Sequence, residues 1–284
     1  MEFRIPKPEL EAVFLSASQV VDWGLLKHKI PSLWDKTQGE GVRVAILDSG
    51  SPVHIDTCHS ILDNKTFIGK DSIDEDMVGH GIFCTGIVAA NNNEFGVVGV
   101  APKSSVVFCR VLKSSGAGNP SHIIKGIEYA IENNVDIISI SFGARQDVPE
   151  IKEVIKKAYD RGIVLVAAAG NDKVENSVNY PARYEEVISV GAVNESDTIA
   201  DFCSKGYKVD VYAPGVYITS TYLNHSYACM SGTSFATPFV AGIIALAISL
   251  RRKNKKPIIV KDIIELIKTT PLRDFVEKYG TLWT

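Results

Sequence analysis

Six short runs rich in β-branched and other apolar residues, at 42–47, 106–112, 136–141, 163–168, 187–193 and 209–213, constrain this chain more than any other feature. They read as strands buried on both faces, a condition met in parallel sheets covered by helices. Longer segments with helical spacing lie between several of them. In residues 121–132, Ile123, Ile124, Ile127, Ala130 and Ile131 share one face, and residues 148–159 repeat the pattern. Strand and helix alternate, so the expected fold is α/β: a three-layer αβα arrangement with a mostly parallel central sheet. At 284 residues and 45% apolar content the chain can bury one large core, and we read it as a single domain. Chemistry in such sheets collects at the carboxyl ends of the strands.

Charge and composition exclude several functions. Acids and bases are interspersed, with a net charge of -3, which leaves no nucleic-acid footprint and no membrane-attracted face. The one basic run, 251–256, reads as a solvated turn after a helix. Residues 1–10 carry Glu2, Arg4, Lys7 and Glu9 with two prolines, which is no secretory signal, so a cytoplasmic location is expected. The longest apolar run, 239–250, is shorter than the roughly 20 residues of a bilayer span and reads as a core helix. Residues 260–268 form an amphipathic helix followed by a short tail. Cys58, Cys84, Cys109, Cys203 and Cys229 have no CxxC spacing and are expected as reduced thiols.

Four residues stand out by their setting. Ser234 lies in Ser231-Gly-Thr-Ser-Phe-Ala-Thr-Pro238, at the first turn of a long apolar helix, where a serine either caps the helix or serves as a nucleophile. A hydroxyl needs a base, and of six histidines only His80, in Gly79-His80-Gly81, opens a helix whose small residues admit neighbouring backbone. Asp48 closes an apolar strand; its charge is costly there unless paired, as a turn residue or as the carboxylate that orients an imidazole. Asn171 follows another apolar strand and is either a turn residue or an amide donor to a developing oxyanion.

Together, Asp48-Ser49-Gly50, Gly79-His80-Gly81, Ala168-Ala169-Gly170-Asn171 and Gly232-Thr-Ser-Phe-Ala-Thr-Pro238 resemble the subtilisin family of serine proteases, and the resemblance runs over about residues 34–250. It is nearest to the bacterial intracellular subtilisins. It implies a subtilisin-like fold and broad peptide-bond hydrolysis through Asp48, His80 and Ser234, with Asn171 as oxyanion donor. It also implies that Ser141, Phe142, Gly143 and Ala144 wall one side of the pocket for the residue before the scissile bond. Ala168, Ala169 and Gly170 would wall the other side, and Gly116 to Gly118 would pair with extended substrate.

A structural calcium ion would be held by the side chains of Asp56 and Asn93 and by the carbonyls of Asn91, Phe95 and Val97, an oxygen-only set that suits calcium. Residues 1–18 resemble the extension that lies across the cleft in intracellular members, with Arg4-Ile-Pro-Lys-Pro8 standing where Leu-Ile-Pro-Tyr is usual. Residues 19–284 would be the peptidase domain. The expected partners are protein or peptide substrates, and the resemblance allows a homodimer. Where members usually have methionine after the nucleophile this chain has Phe235, expected to add bulk beside Ser234, and Cys84 is expected under the histidine. A catalytically silent binding module and a dedicated processing protease are the competing readings.

Overall fold

The structure is a computed structural model that describes residues 2–6, 8–51, 53–69, 78–206 and 208–281. Two strands, β1 (Phe3–Arg4) and β2 (Glu9–Phe14), precede helix α1 (Trp23–Lys27), β3 (Arg43–Ser49), β4 (Ile61–Thr66) and α2 (His80–Ala89). Then come β5 (Ser105–Leu112), β6 (Ala117–Gly118), α3 (Pro120–Glu132), β7 (Ile137–Ile140), α4 (Pro149–Asp160), β8 (Val164–Ala168) and β9 (Val187–Val193). The chain closes with β10 (Val211–Pro214), β11 (Ile218–Thr221), β12 (Tyr227–Ser231), α5 (Thr233–Lys253), α6 (Val260–Thr269) and α7 (Leu272–Thr281).

The central sheet has seven strands in the order β10-β9-β8-β7-β3-β5-β4, and every pairing in it is parallel. Side chains alternate between its faces. Val44 and Ile46 of β3 join Phe83, Val240 and Ile244 from α2 and α5 in one apolar layer. Ala45 and Leu47 join Ile127 and Ile155 from α3 and α4 in the other. This is the three-layer fold expected from the strand runs, because a strand serving two cores must be apolar on both faces. The edge strand β4, Ile-Leu-Asp-Asn-Lys-Thr, lacks that signature because it is only half covered.

Helix α5 is 21 residues long and apolar enough to span a bilayer, but its apolar stretch is wholly buried along the sheet, as a core helix apolar all round must be. Two expectations change here. The basic run after α5 is not all solvated: Arg251 is buried in the helix's last turn, its guanidinium 4.4 Å from the Tyr279 ring centre and bonded to the Tyr279 carbonyl at 2.7 Å. The tail after α6 is a second helix, α7, whose Leu272, Phe275, Val276 and Tyr279 are buried in the same layer as α5. Those four positions have helical spacing.

Candidate active site

Asp48 and His80 are brought together by close backbone approach. Helix α2 starts at His80, and a side chain on Gly81 would put its Cβ 2.1 Å from the Ser49 carbonyl oxygen. Only glycine lets the helix start sit against the end of β3. On the other side of α2, Thr221 and Ser220 of β11 donate to the Ile82 and Phe83 carbonyls at 2.7 and 2.8 Å. Both catalytic candidates are fully buried, and His80 Nδ1 stands 2.7 Å from Asp48 Oδ1, which also accepts the Ser49 N–H at 2.7 Å. Burial disfavours the imidazolium, but the charge of Asp48 and its hydrogen bond override that penalty and hold the His80 pKa well above its ordinary value. His54 is the contrast: it too is buried, its ring has no carboxylate bonded to it among the described residues, and burial lowers its pKa to about 4.

Ser234 sits in the first turn of α5. Pro238 lies inside this helix and has no N–H to offer the carbonyl four residues earlier, which belongs to Ser234. That carbonyl instead accepts from the Ser141 hydroxyl at 2.8 Å and from the Cys84 thiol at 3.6 Å, which ties the nucleophile's backbone to β7 and α2. Asp48, His80 and Cys84 thus gather a carboxylate, an imidazole and a thiol within 4.8 Å. Burial raises the Cys84 pKa, so it stays a thiol. Phe235 does not crowd the cleft: its ring turns inward, 4.6 Å from Phe83 and 5.5 Å from His80 between centres.

The Ser234 hydroxyl donates to the Ser141 carbonyl at 2.9 Å, and His80 Nε2 has no hydrogen-bond partner among the described residues. Asn171 is aimed by its oxygen, which accepts both the Thr233 N–H at 3.1 Å and the Thr233 hydroxyl at 2.8 Å. Its donor end therefore lies at the turn into α5, where a Cβ on Gly232 would come 3.3 Å from Nδ2.

The cleft beside these groups is filled by the chain's own N-terminus. Strand β1 pairs antiparallel with β6, Phe3 opposite Gly118, and Ile5 N–H donates to the Gly116 carbonyl at 3.1 Å. On its other edge Arg4 exchanges both main-chain bonds with Gly143, at 2.9 and 3.0 Å. Continued by two residues, this antiparallel register would set Pro6 opposite Ser141. Phe3 is buried edge-on against Phe142, 6.2 Å between ring centres. Beyond Arg4, a cavity of about 370 Å³ is lined by Ile5, Pro6, Gly143, Ala144, Asn171 and Asn179, among others. Ser141, Phe142, Ala168, Ala169 and Gly170 are buried and do not line it. Lys7 lies outside the described residues. Strand β2 then pairs antiparallel with β12.

The loop at 91–97 carries a second polar cluster. The Asn91 carbonyl, the Asn93 Oδ1 and the Phe95 carbonyl converge on Gln19 Nε2 at 2.8, 3.2 and 3.5 Å. Asp56 accepts from Asn93 Nδ2 at 2.9 Å and from Val97 N–H at 2.8 Å. Three oxygens around one amide end, with a carboxylate behind them, form a donor set of the kind a hard cation takes. Turning the Gln19 amide over would present its oxygen as a fourth. Gln19 was not legible as part of this cluster, because it is brought in from 72 residues away in sequence. Asp172 and Asn179 were likewise missed as cavity residues; the cue was their place beside Asn171 and the motif starting at Tyr180.

A serine hydroxyl needs a base, and here one buried imidazole, oriented by one buried carboxylate, stands at the carboxyl ends of the sheet's strands together with a serine and an amide donor. Among hydrolases that is the serine class. Known proteins narrow it further. The model of the Subtilase family matches residues 39–277, and the chain belongs to that family. An intracellular serine protease of Paenibacillus polymyxa is 44% identical over 232 residues, 78% of this chain and 71% of the relative. The major intracellular serine protease of Bacillus subtilis is 39% identical over 242 residues, 81% and 76% of the two chains. Subtilisin DY of Bacillus licheniformis is 42% identical over 241 residues, 82% and 86%. The family and these relatives make the protein a serine endopeptidase.

Proposed function

We propose that the protein cleaves proteins of the cytoplasm with broad tolerance, with Ser234 as nucleophile, His80 as general base and Asp48 as its orienting carboxylate. The observation that carries this reading is that residues 3–5 already lie in the cleft as an extra strand between β6 and Gly143, bonded through main chain. Main-chain pairing binds peptide with little regard to sequence. A substrate N–H opposite Ser141 would take the carbonyl that Ser234 now occupies and release the hydroxyl toward His80 Nε2. His80 accepts the proton as Ser234 Oγ attacks the scissile carbonyl, and Asp48 steadies the imidazolium that forms. Asn171 Nδ2 and the Ser234 N–H stabilise the oxyanion. His80 then protonates the leaving amine, and water hydrolyses the acyl-enzyme by the same route in reverse.

Residues 1–18 are read as an autoinhibitory extension and 19–284 as the peptidase domain. Pro6 supports this, since proline has no N–H to give Ser141; the Ser234 hydroxyl bonds that carbonyl instead, and His80 Nε2 is left without a partner among the described residues. The names of two relatives support a cytoplasmic setting. Calcium fits the oxygens of Asn91, Asn93, Phe95 and Asp56, joined by the carbonyl of Val97 and the amide oxygen of Gln19. Bound there, it would supply structural cross-linking between the loop and Gln19, the first residue of the peptidase domain. The test is turnover of labelled casein by purified protein: many fragments of unrelated sequence support the reading, whereas no cleavage, or cleavage at one site only, contradicts it.

A further inference from the structure

His80 is fully buried, yet taking the Ser234 proton gives it a positive charge. Two titratable groups bear on it among the described residues, Asp48 from β3 and Cys84 from α2. Asp48 meets the charge at one atom, Nδ1, at 2.7 Å. Cys84 Sγ stands 3.8 Å from the same nitrogen and stays a neutral thiol, because burial raises its pKa. The first turn of α5 brings no acid or base, only hydroxyls and the Phe235 ring. That ring is fully buried, with its centre 5.5 Å from the imidazole centre and 43° between the planes. Phe83, one turn along α2 from His80, packs against it at 4.6 Å between centres, and a Cβ on Gly232 would come 3.4 Å from its Cε2. The ring is thus held between α2 and the turn into α5.

The face of a benzene ring carries partial negative charge and attracts a cation within about 6 Å of its centre, most strongly where neither group is hydrated. We propose that Phe235 is a positioning residue for His80: its ring fixes the tilt of the imidazole and stabilises the imidazolium formed when Ser234 gives up its proton. This rests on the peptidase reading. One hydrogen bond to Asp48 fixes where Nδ1 points but not the tilt of the imidazole plane about that bond; a second ring packed against it does. Phe235 also follows the nucleophile directly, so the wall that steadies the base is carried on the nucleophile's own backbone. A leucine there would fill space without offering a negative face. Stabilising the imidazolium raises the pH at which it gives way to the free base, so removing the ring lowers that pH.

The test is the pH dependence of kcat/KM on a short peptide, with the full chain throughout, so that any pH response of the extension is common to every form. Phe235→Leu should move the acidic limb down by about 0.5 to 1 pH unit and lower the plateau kcat by about three- to tenfold, with KM little changed. A fluorinated phenylalanine at the same position keeps a ring but withdraws negative charge from its faces, and should move the limb in the same direction. That variant decides the matter if thermal melting shows that the leucine protein does not fold. A limb that stays in place or moves up in a folded variant overturns the proposal, as does a fluorinated ring that behaves as wild type. A side chain that only fills space would lower the Tm without moving the limb. Wild type that neither cleaves peptide nor takes a fluorophosphonate label on Ser234 overturns the peptidase reading instead.

Discussion

Asp48, His80 and Ser234 are wholly buried and come from a strand and two helices locked together by glycine contacts, by Pro238 and by side-chain bonds to main chain. The N-terminal extension reaches the same cleft with almost nothing buried. Five of the six residues of β2 are exposed, and Phe3 is the one side chain of β1 and β2 that is buried. One region is built into both apolar layers, and the other rests on main-chain pairing along existing edges. Chemistry that depends on a few tenths of an ångström is placed in the core, while the segment in the cleft is held by main-chain bonds that peptide can replace.

Breaking the core side of this contrast should have the largest effects. Asp48→Asn keeps the shape but loses the charge that orients and stabilises His80, and should lower kcat by about 10⁴. In the native protein the raised His80 pKa means that the imidazolium, unable to accept a proton, persists above the ordinary value of about 6.5. Activity should therefore rise with pH along a limb above that value, and a pH–rate profile with its limb below it contradicts the pairing. Asn171→Leu should cost about 10² to 10³ in kcat with KM little changed, the range found when such a donor is removed from a subtilisin.

Changes on the extension side should be smaller and opposite in sign. Deleting residues 1–18 should raise the initial rate on a short peptide by about tenfold, as a cleft mostly closed becomes mostly open; equal initial rates for the two forms would contradict autoinhibition. Smallest is the effect of the polar cluster that anchors Gln19, just after the extension. Calcium at about a hundred times its Kd should raise the Tm by about 5–10 °C, and Asn93→Ala should abolish that rise. An unchanged Tm on adding calcium to the chelator-treated protein would remove the ion from the reading.

How much of this was legible follows the same division. The six apolar runs announced the central sheet, because strands serving two cores carry the signal in every residue. Small residues around His80 and Ser234 announced close backbone approach, which the Gly81 and Gly86 contacts explain. Strands β2, β4 and β12 left little trace, since an edge or covering strand is specified by its neighbours rather than by its own composition. Gln19, Asp172 and Asn179 were missed for a related reason: their surroundings are assembled from distant segments. Helix α7 was legible in the spacing of Leu272, Phe275, Val276 and Tyr279 and was passed over as a tail.

The most direct test of the central claim is covalent labelling by a serine-directed fluorophosphonate, followed by peptide mass mapping, in the full chain, the chain lacking residues 1–18 and Ser234→Ala. Label on Ser234, faster without the extension and absent from Ser234→Ala despite an unchanged thermal melt, is the predicted result. No label on Ser234 in the shortened, folded protein would contradict it.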